Sequence, residues 1–497
     1  MDDAAQDSAR PPAAANGTSA PASSPPVGDR AISEHLAEFA AGLDGSRIPD
    51  RVAVRAKHLI LDAVGCAMAA RREPFAGRIV RSIARLAGSG PRGVIGMPQR
   101  LPLRDAAMAN GVLMHGLDYD DTHAAGIVHL TVSTFPAAMA AGAHTGSSGS
   151  QLLAAYVAGM ETGARLAAVV KGGLHQVGFH PTGVVGTFAA ALVAGKLMKL
   201  SARQLAGAQG IALSFASGSL QFVEDGSWTK RIHPGWAAAS GITAAALAAD
   251  DMPAPQQPYE GRFGLYRSYL PPAELAACDL SLATSGLGDI WEIENVAVKP
   301  FPACHFVHAC ADAAIALHRD GVDASHVRSV KAWVPAGVVK AVCEPVAAKR
   351  RPRNEYDAKF SIPYAVASGL ARGRLGLAEL APDAFTDPYI QALMDKVDYA
   401  VDAASTFPRH YSGEVVVTLN DGRTVANRVA VNRGNPERPL TNPEIEEKFF
   451  ENAALTVDDR AARRIRDLVL DLENADAVHL ESLLAAAGES TPGEARP

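Results

Sequence analysis

Residues 103–249 most constrain the fold, because they form an almost unbroken series of Ala-, Leu-, Gly- and Val-rich segments. A composition rich in Ala, with few β-branched runs, favours helix. Helices that are apolar on most sides belong inside a bundle rather than on its surface. The segment therefore predicts a buried helical bundle, interrupted by polar stretches at residues 110–136, 175–182 and 224–234.

The first polar stretch concentrates ionisable side chains between apolar helices. Three carboxylates and three imidazoles fall within fifteen residues: Asp118, Asp120, Asp121, His115, His123 and His129. Burying such groups costs desolvation energy unless they are paired or take part in binding or catalysis. Perturbed pKa values concentrate at catalytic sites. The stretch is therefore a candidate active site. The sequence leaves open the alternative of a polar loop whose charges face water.

The character of the chain changes after Pro271. Segments 290–298, 327–334, 397–401 and 413–431 carry β-branched residues typical of strands, and Asn420, Asp421 and Gly422 are a hairpin-turn signal. Helices are predicted between them at 303–319 and 358–372. Thr441 and Glu444 form a capping box that opens two last helices. The predicted fold class is mainly α with a smaller α/β domain inserted into a helical one.

The predicted domain limits follow these changes in composition. A helical domain covers 31–270, the α/β domain covers 271–432, and the helices of 433–487 return to the helical domain. Residues 1–30 and 488–497 are predicted to be disordered tails, because they contain too few apolar side chains to order themselves.

Charge, hydropathy and cysteine content exclude several classes of protein. The net charge of −6 and a pI near 6.2 argue against a nucleic-acid partner, because phosphate binding needs clustered Lys and Arg. Charged residues interrupt each apolar run before the roughly 18–20 residues of a membrane span, so no membrane partner is expected. The five cysteines are odd in number and mostly far apart, which argues against a disulfide framework. We expect a cytoplasmic protein.

Two motifs suggest other functions, a phosphatase and a metal site. Asp118, Asp120 and Thr122 match DxDxT, the nucleophile loop of haloacid-dehalogenase-type phosphatases, but that loop follows a buried strand and residues 109–117 are typical of a helix end. A second motif places His305, His308 and Asp312 at i, i+3 and i+7 of a predicted helix, a spacing that suits zinc or iron ligands. The alternative for that group is packing at a helix end or substrate binding.

The cations of the polar stretches suit a different ligand. Lys230, Arg231 and Lys299 lie in or beside these stretches, near the imidazoles and outside any phosphate-binding loop. Several cationic donors suit a small polycarboxylate. Carboxylates beside imidazoles suit proton transfer at a carbon next to a carboxylate.

Seven motifs, in order, resemble the MmgE/PrpD family. They are IP and ILDAVG within 48–65, ANG at 109–111, HGLDYDDT at 115–122, GFHPT at 178–182, KRIHPG at 230–235, KPFPACH at 299–305 and KFSIPYA at 359–365. The family includes 2-methylcitrate dehydratase, cis-aconitate decarboxylase and iminodisuccinate epimerase. The resemblance implies a large all-helical domain formed by both chain ends, an inserted α/β lid domain, a homodimer, and neither a metal nor an organic cofactor.

The resemblance also implies an active site. Carried over by motif, it would hold Asp118, Thr122, His129, His180, Lys230, Lys299 and Tyr364. We assign catalysis to Asp118, His129, His180, Lys230 and Tyr364, and substrate binding to Thr122, Arg231, His233, Lys299 and His305. His129 is the first choice for proton transfer, since imidazole exchanges protons near neutral pH.

The chain departs from the family pattern at two places. Leu130 and Thr131 follow His129 where many members have Pro and Ser. Cys304, with His305 one position on, stands where cis-aconitate decarboxylases have a His. Both departures bear on the substrate rather than on the scaffold.

The expected function is a cofactor-independent lyase acting on a small di- or tricarboxylate, either 2-methylcitrate dehydratase-like or cis-aconitate decarboxylase-like. Two alternatives stay open: an epimerase of a dicarboxylate such as iminodisuccinate, and a catalytically silent member of the family that only binds.

Overall fold

Helices account for most of the structure. The computed structural model describes residues 30–487, and the structure is 59% helix and 10% strand. The predicted fold class, mainly α with a smaller α/β part, is therefore confirmed. Apart from Arg30, the predicted tails lie outside the described residues.

The helices of the first part of the chain include the apolar segments singled out above. They are α1 (Ile32–Gly42), α2 (Asp50–Ala70), α3 (Pro74–Ala87), α4 (Leu103–His115), α5 (Thr131–Thr145), α6 (Gly149–Val169), α7 (Gly173–Gln176), α8 (Pro181–Leu197), α9 (Ala202–Ala212), α10 (Phe222–Asp225), α11 (Thr229–Ala249), α12 (Leu265–Tyr269) and α13 (Pro272–Ala276).

The later helices are shorter on average. They are α14 (His308–Arg319), α15 (Val339–Val342), α16 (Val346–Lys349), α17 (Glu355–Lys359), α18 (Ile362–Arg372), α19 (Pro382–Thr386), α20 (Pro388–Asp395), α21 (Asn442–Ala454), α22 (Asp459–Leu470) and α23 (Ala477–Ala486). The strands are β1 (Arg92–Val94), β2 (Met97–Leu101), β3 (Thr122–His123), β4 (Val296–Ala297), β5 (Val327–Val334), β6 (Val397–Val401), β7 (Gly413–Leu419) and β8 (Thr424–Val429).

Helix α8 lies at the centre of the bundle. All its residues except Lys196 are buried, and it packs against α5, α6, α9 and α11. A helix that is apolar on every side buries its side chains from water only when other elements pack against every side. The predicted bundle of apolar helices is thus confirmed.

Helix α6 is apolar and long enough to cross a membrane. It is the one such helix among the described residues, and 94% of its most apolar window is buried inside the protein.

Small residues let α4 and α11 cross closely. A Cβ atom placed on Gly235 would lie 2.3 Å from the main-chain oxygen of Met108, and one on Gly111 would lie 2.7 Å from the Cα atom of Gly235. Only glycine fits such a contact without moving a backbone. This crossing matters because α4 leads into the DYDDT segment and α11 carries Lys230.

The four-stranded sheet has the order β6-β5-β7-β8. Strands β5 and β6 are parallel, whereas β7 pairs antiparallel with both β5 and β8. Helix α14 packs on β7 and β8 and against α18. The strand predictions at 327–334 and 397–401 and the hairpin around Asp421 are confirmed.

Three predicted elements differ from the structure. The helix predicted at 303–319 begins only at His308, after a separate 3₁₀ turn at His305–Val307. Residues 290–298 were expected to be one strand, but a 3₁₀ turn occupies Glu292–Asn295 and only Val296–Ala297 pair. The Glu161 carboxylate accepts hydrogen bonds from the main-chain N–H groups of Glu292 and Ile293 (3.0 and 2.9 Å). A side chain distant in sequence therefore stabilises this turn. The helix predicted at 358–372 ends at Lys359 and restarts at Ile362, where the Ser361 hydroxyl accepts from the Tyr364 N–H.

The last helices pack on the first ones. The Thr441–Glu444 capping box is present, α21 packs against α2, and α23 packs against α5. Buried apolar residues form two clusters, one drawn from residues 36–298 and 440–487 and the other mainly from 301–429. The domain limits given above stay predictions.

Candidate functional site

A two-residue antiparallel ladder joins the DYDDT segment to the segment that carries Lys299. Thr122 pairs with Ala297 and His123 pairs with Val296. Two positions further along an antiparallel register, Lys299 faces Asp120. The ladder therefore brings a lysine from late in the chain beside the first polar stretch.

Asp118 lies between two lysines. Lys230 Nζ donates to Asp118 Oδ2 (2.7 Å), and Lys299 Nζ donates to Oδ1 (2.5 Å) and to the main-chain oxygen of Asp118 (2.9 Å). Asp118 and Lys299 are fully buried. Burial alone would raise the pKa of Asp118, but the two ammonium groups outweigh it and hold that pKa well below its usual range. The backbone of Asp118 is left-handed, with φ of 55°.

His129 is held in one tautomer. Its Nδ1 donates to the main-chain oxygen of Asp121 (2.6 Å), and Thr122 Oγ1 and Asp120 Oδ2 lie 3.2 and 3.3 Å from the same nitrogen. Because a carbonyl can only accept, Nδ1 carries the proton and Nε2 is the basic nitrogen. Burial lowers the pKa of His129 well below its usual value despite the nearby Asp120 carboxylate.

Two buried imidazoles, His115 and His180, and the partly buried His233 surround His129. His115 Nδ1 donates to both oxygens of Asp120 (2.9 Å each), and the His115 ring stacks on His180 with centroids 5.6 Å apart. His180 and His233 share a hydrogen bond between their Nδ1 atoms (2.9 Å). Burial lowers the pKa of His180 well below its usual value and that of His233 to about 4. Within the described residues, Nε2 of His115 and of His180 have no hydrogen-bond partner.

These groups border one cavity of about 40 Å³. This is well below the roughly 300–1,000 Å³ of a usual small-molecule site, so a ligand of that size would enter only if the cavity widens. Polar lining comes from Asp118, Thr122, His129, His175, His180, Lys230, Lys299, Cys304, His305 and Tyr411. Apolar walls come from residues such as Ile127, Phe222, Phe306 and Phe360. The structure thus brings together seven of the ten predicted site residues.

The other three predicted residues do not line this cavity. Tyr364 donates its hydroxyl to the Glu379 carbonyl and packs against Phe385, so its position does not support the predicted catalytic role. Arg231 donates to the Gly116 carbonyl (2.8 Å) and pairs with Glu355. These contacts hold the end of α4 in place, and they occupy the guanidinium group that was predicted to bind substrate. His233 lies behind His180 and contacts the cavity only through it.

The sequence did not assign roles to four residues at or next to the cavity. His115 and Asp120 belong to the dense first stretch, and their spacing of five residues was the available signal. His175 lines the cavity, and burial lowers its pKa to about 4. Tyr411 donates to the Ala124 carbonyl (3.1 Å), but no local pattern in the sequence marks it.

The two other chemistries find little support. The DxDxT loop follows helix α4 rather than a strand, and its first Asp is engaged by two lysines. His308 Nε2 donates to the Ala303 carbonyl and His305 Nε2 pairs with Asn432, so these rings have separate partners.

One group in the described residues has metal-like spacing. Ligand atoms of His115, Asp120 and His129 lie within 4.8 Å of one another. Both Nδ1 atoms of that group already serve as hydrogen-bond donors, so a metal ion bound through these atoms would have to displace the bonds that orient the rings.

Comparisons with known proteins agree with this architecture. The MmgE/PrpD N-terminal domain matches residues 34–277, and the MmgE/PrpD C-terminal domain matches residues 301–474. The chain is 29% identical to the cis-aconitate decarboxylase-like protein oryM of Aspergillus oryzae, over 91% of this chain and 97% of that protein. It is 29% identical to the cis-aconitate decarboxylase of Homo sapiens, over 90% and 93% of the two chains. The corresponding Aspergillus terreus protein is 27% identical, over 89% and 93%. The two matched domains cover most of the chain and include every residue of the cavity except Lys299, which stands between them: this chain belongs to the MmgE/PrpD family.

Proposed function

We propose that this protein is a cofactor-independent lyase that decarboxylates a small unsaturated tricarboxylate of the cis-aconitate type. The observation that carries the proposal is the Lys230–Asp118–Lys299 arrangement beside His129, a neutral imidazole with a defined basic nitrogen. Relatives that match nearly the whole chain carry the name cis-aconitate decarboxylase, which favours decarboxylation over the other family reactions.

Charge balance in the cavity suits a polyanion that arrives with a proton. Two lysines and one aspartate line it, and its imidazoles are neutral when no ligand is bound, so the lining carries one excess positive charge. A tricarboxylate brings up to three negative charges. Its approach raises the pKa of His129, because an opposite charge favours the protonated imidazole. Binding is therefore coupled to uptake of a proton at Nε2.

The reaction then needs one bond broken and one formed. The bond between carbon and a carboxylate breaks and CO2 leaves. The electron pair delocalises through the adjacent double bond onto a second carboxylate, which Lys230 and Lys299 stabilise. The His129 imidazolium delivers its proton to carbon and returns to the neutral tautomer. Thr122 and the Asp121 carbonyl keep its ring in place throughout.

The test is incubation with cis-aconitate in deuterated water. We expect CO2 release and a product with one carbon-bound deuterium, and at least a hundredfold loss of rate in His129→Gln, since one general acid contributes about 10²–10⁴-fold. His326→Ala is the matched control, because that imidazole is exposed.

Other outcomes would point to other members of the family. A new alkene absorbance with hydroxylated tricarboxylates, without CO2, would mark a dehydratase. Deuterium uptake with inversion in a dicarboxylate would mark an epimerase. Binding of these acids without turnover of any would mark a silent member, and each of these results contradicts the proposal.

A further inference from the structure

A second cleft, of about 810 Å³, lies between α14, β8 and α21. Its charged lining is dominated by arginine: Arg319, Arg374, Arg428, Arg433 and Arg438. Three acidic residues, Asp312, Glu444 and Glu451, share the cleft, and carboxylates outside the lining pair with Arg374 and Arg428. Apolar side chains such as Ile315, Leu375 and Val429 complete the lining.

Among the described residues, one guanidinium group of the cleft has no hydrogen-bond or ion-pair partner, and a second is held by long contacts. Arg374, Arg428 and Arg433 form ion pairs of 2.6 to 3.0 Å with carboxylates. Arg319, by contrast, makes no hydrogen bond or ion pair with the described residues. Arg438 reaches only the Val431 carbonyl (3.3 Å) and, at 3.7 Å, Asp312. Planar guanidinium groups bind carboxylate and phosphate oxygens in pairs.

Asp312 adds a second polar feature to this cleft. Its Oδ2 atom is buried and accepts no hydrogen bond from the described residues, and Arg438 forms only a long ion pair with it (3.7 Å). A buried acceptor without a donor costs free energy, and a ligand hydroxyl would satisfy it. The lining therefore suits a compact molecule with two or more anionic groups and a hydroxyl.

The cleft and the active cavity lie on opposite sides of the same two chain segments. Asp118 and Lys299 line the cavity, whereas their successors Tyr119 and Pro300 line the cleft. The Tyr119 hydroxyl donates to the Pro300 carbonyl (3.3 Å). Lys448 Nζ ties the segments together by donating to the carbonyls of Tyr119 (2.7 Å) and Lys299 (2.9 Å). A ligand in the cleft thus presses on the backbone that presents the Asp118–Lys299 pair.

We propose that the arginine-lined cleft is an effector site for a small hydroxylated polyanion, whose binding alters turnover through Tyr119 and Pro300. Binding does not depend on the proposed function, whereas the effect on turnover rests on it.

Calorimetric titration of the full-length protein tests the binding, with pyrophosphate and citrate as separate probes of the phosphate and carboxylate classes. We expect one of them to bind once per chain. The double variant Arg319→Gln/Arg438→Gln should weaken that binding at least tenfold, because charge-assisted hydrogen bonds are lost. Arg203→Gln, whose exposed side chain pairs with Asp251 on the surface, should not.

Occupancy of the active cavity is separated by Lys230→Gln or, if that variant does not fold, by His129→Gln. Either should keep the cleft's affinity. The proposal is overturned if neither probe binds, if the double variant binds as tightly as the wild type, or if only the cavity variant loses binding.

Turnover of cis-aconitate tests the coupling. The bound probe should change kcat or KM at least twofold in the wild type and leave the double variant, whose basal rate stays normal, unaffected. An equal response in both proteins would overturn the coupling. Absence of turnover in every protein would contradict the proposed function, while calorimetry would still decide whether the cleft binds.

Discussion

At the scale of single residues, we predict unequal losses of stability when different members of the buried triad of Asp118, Lys230 and Lys299 are substituted. Asp118→Asn removes the carboxylate that pairs with both buried ammonium groups, although the Asp120 carboxylate still attracts Lys299. Breaking a buried ion pair in this way costs about 3–5 kcal/mol. Lys299→Met leaves a one-to-one pair and loses charge-assisted hydrogen bonds, a cost of about 1.5–3 kcal/mol. Urea denaturation should therefore give the larger loss for Asp118→Asn.

Lys331→Met is the control for that series, because Lys331 is exposed and pairs loosely with Asp398 (3.9 Å). Equal or reversed costs for Asp118→Asn and Lys299→Met would contradict the charge argument. The complete burial of Lys299 is visible only in the structure, because no local pattern shows that a lysine late in the chain is buried against Asp118.

The protonation of His129 predicts the direction of the pH dependence. Its pKa in the free protein lies well below 6.5, so a decarboxylase that needs the imidazolium must take up a proton with its substrate. Between pH 8 and 6 we expect kcat/KM to increase as pH falls, approaching tenfold per unit. Calorimetry with an unreactive saturated tricarboxylate, in buffers of different ionisation enthalpy, should report proton uptake.

The opposite profile would identify a different chemistry. If kcat/KM instead falls toward acid, the neutral imidazole is acting as a base, which suits a dehydratase or an epimerase better than a decarboxylase.

At the scale of elements, the crossing of α4 and α11 sets the distance between Asp118 and Lys230. Gly235→Ala would place a methyl group 2.3 Å from the Met108 carbonyl, and overpacking of this kind costs about 1–3 kcal/mol. We expect a lower melting temperature and a loss of activity larger than the loss of folded protein. Gly207→Ala is the matched control, since a Cβ there meets nothing within 4 Å. In a helix that change should stabilise by about 0.5–1 kcal/mol. Equal effects of the two substitutions would refute the role of the crossing.

Local pattern predicted those elements whose hydrogen bonds and buried faces are local. Strands 327–334 and 397–401 were placed to the residue, since both are rich in β-branched residues and burial alternates along 330–334. Residues 290–298 were misassigned because a distant carboxylate, that of Glu161, stabilises a turn in an apolar run. The helix predicted at 358–372 is split because Ser361 caps its second half.

The same distinction holds at the site. His129, Lys230 and Lys299 carried motif signals that the resemblance picked out. Arg231 and Tyr364 carried equal signals, yet their partners Glu355 and Glu379, which draw them away from the cavity, are visible only in three dimensions. The predicted homodimer and cytoplasmic location stay predictions.

At the scale of the whole molecule, buried imidazoles couple folding to pH. His129, His175, His180, His233, His305 and His308 all have lowered pKa values, each because burial disfavours the charged ring. In the unfolded chain they titrate near 6.5. Below that pH the unfolded state binds more protons than the folded state, so the free energy of unfolding falls as pH falls. From pH 7 to 5.5 each such site removes about 1.2 kcal/mol.

Buried carboxyl groups act in the other direction. Burial raises the pKa of Asp121 and of Glu161 to about 7 each, and it also raises the pKa of Asp62, Glu73, Asp312 and Glu481. In the folded protein these carboxyl groups keep their protons to a higher pH, whereas in the unfolded chain they release them above about pH 4. The destabilisation that they cause therefore decreases as pH falls. Between pH 7 and 5.5, Asp121 and Glu161 each add about 1.6 kcal/mol to the free energy of unfolding, whereas the six histidines together remove about 7 kcal/mol.

We therefore expect the free energy of unfolding to fall between pH 7 and 5.5, by at most about 4 kcal/mol because the other buried carboxyl groups offset part of the loss, measured by urea denaturation at fixed ionic strength. His175→Leu should reduce that fall by about 1.2 kcal/mol, because it removes one neutral ring from the cavity wall without touching Asp118 or His129. His326→Ala, at an exposed position, should leave the pH dependence unchanged. A stability that is constant or rises toward pH 5.5 would mean that these rings are protonated in the folded state, and the proton-uptake step proposed for His129 would then lose its physical basis.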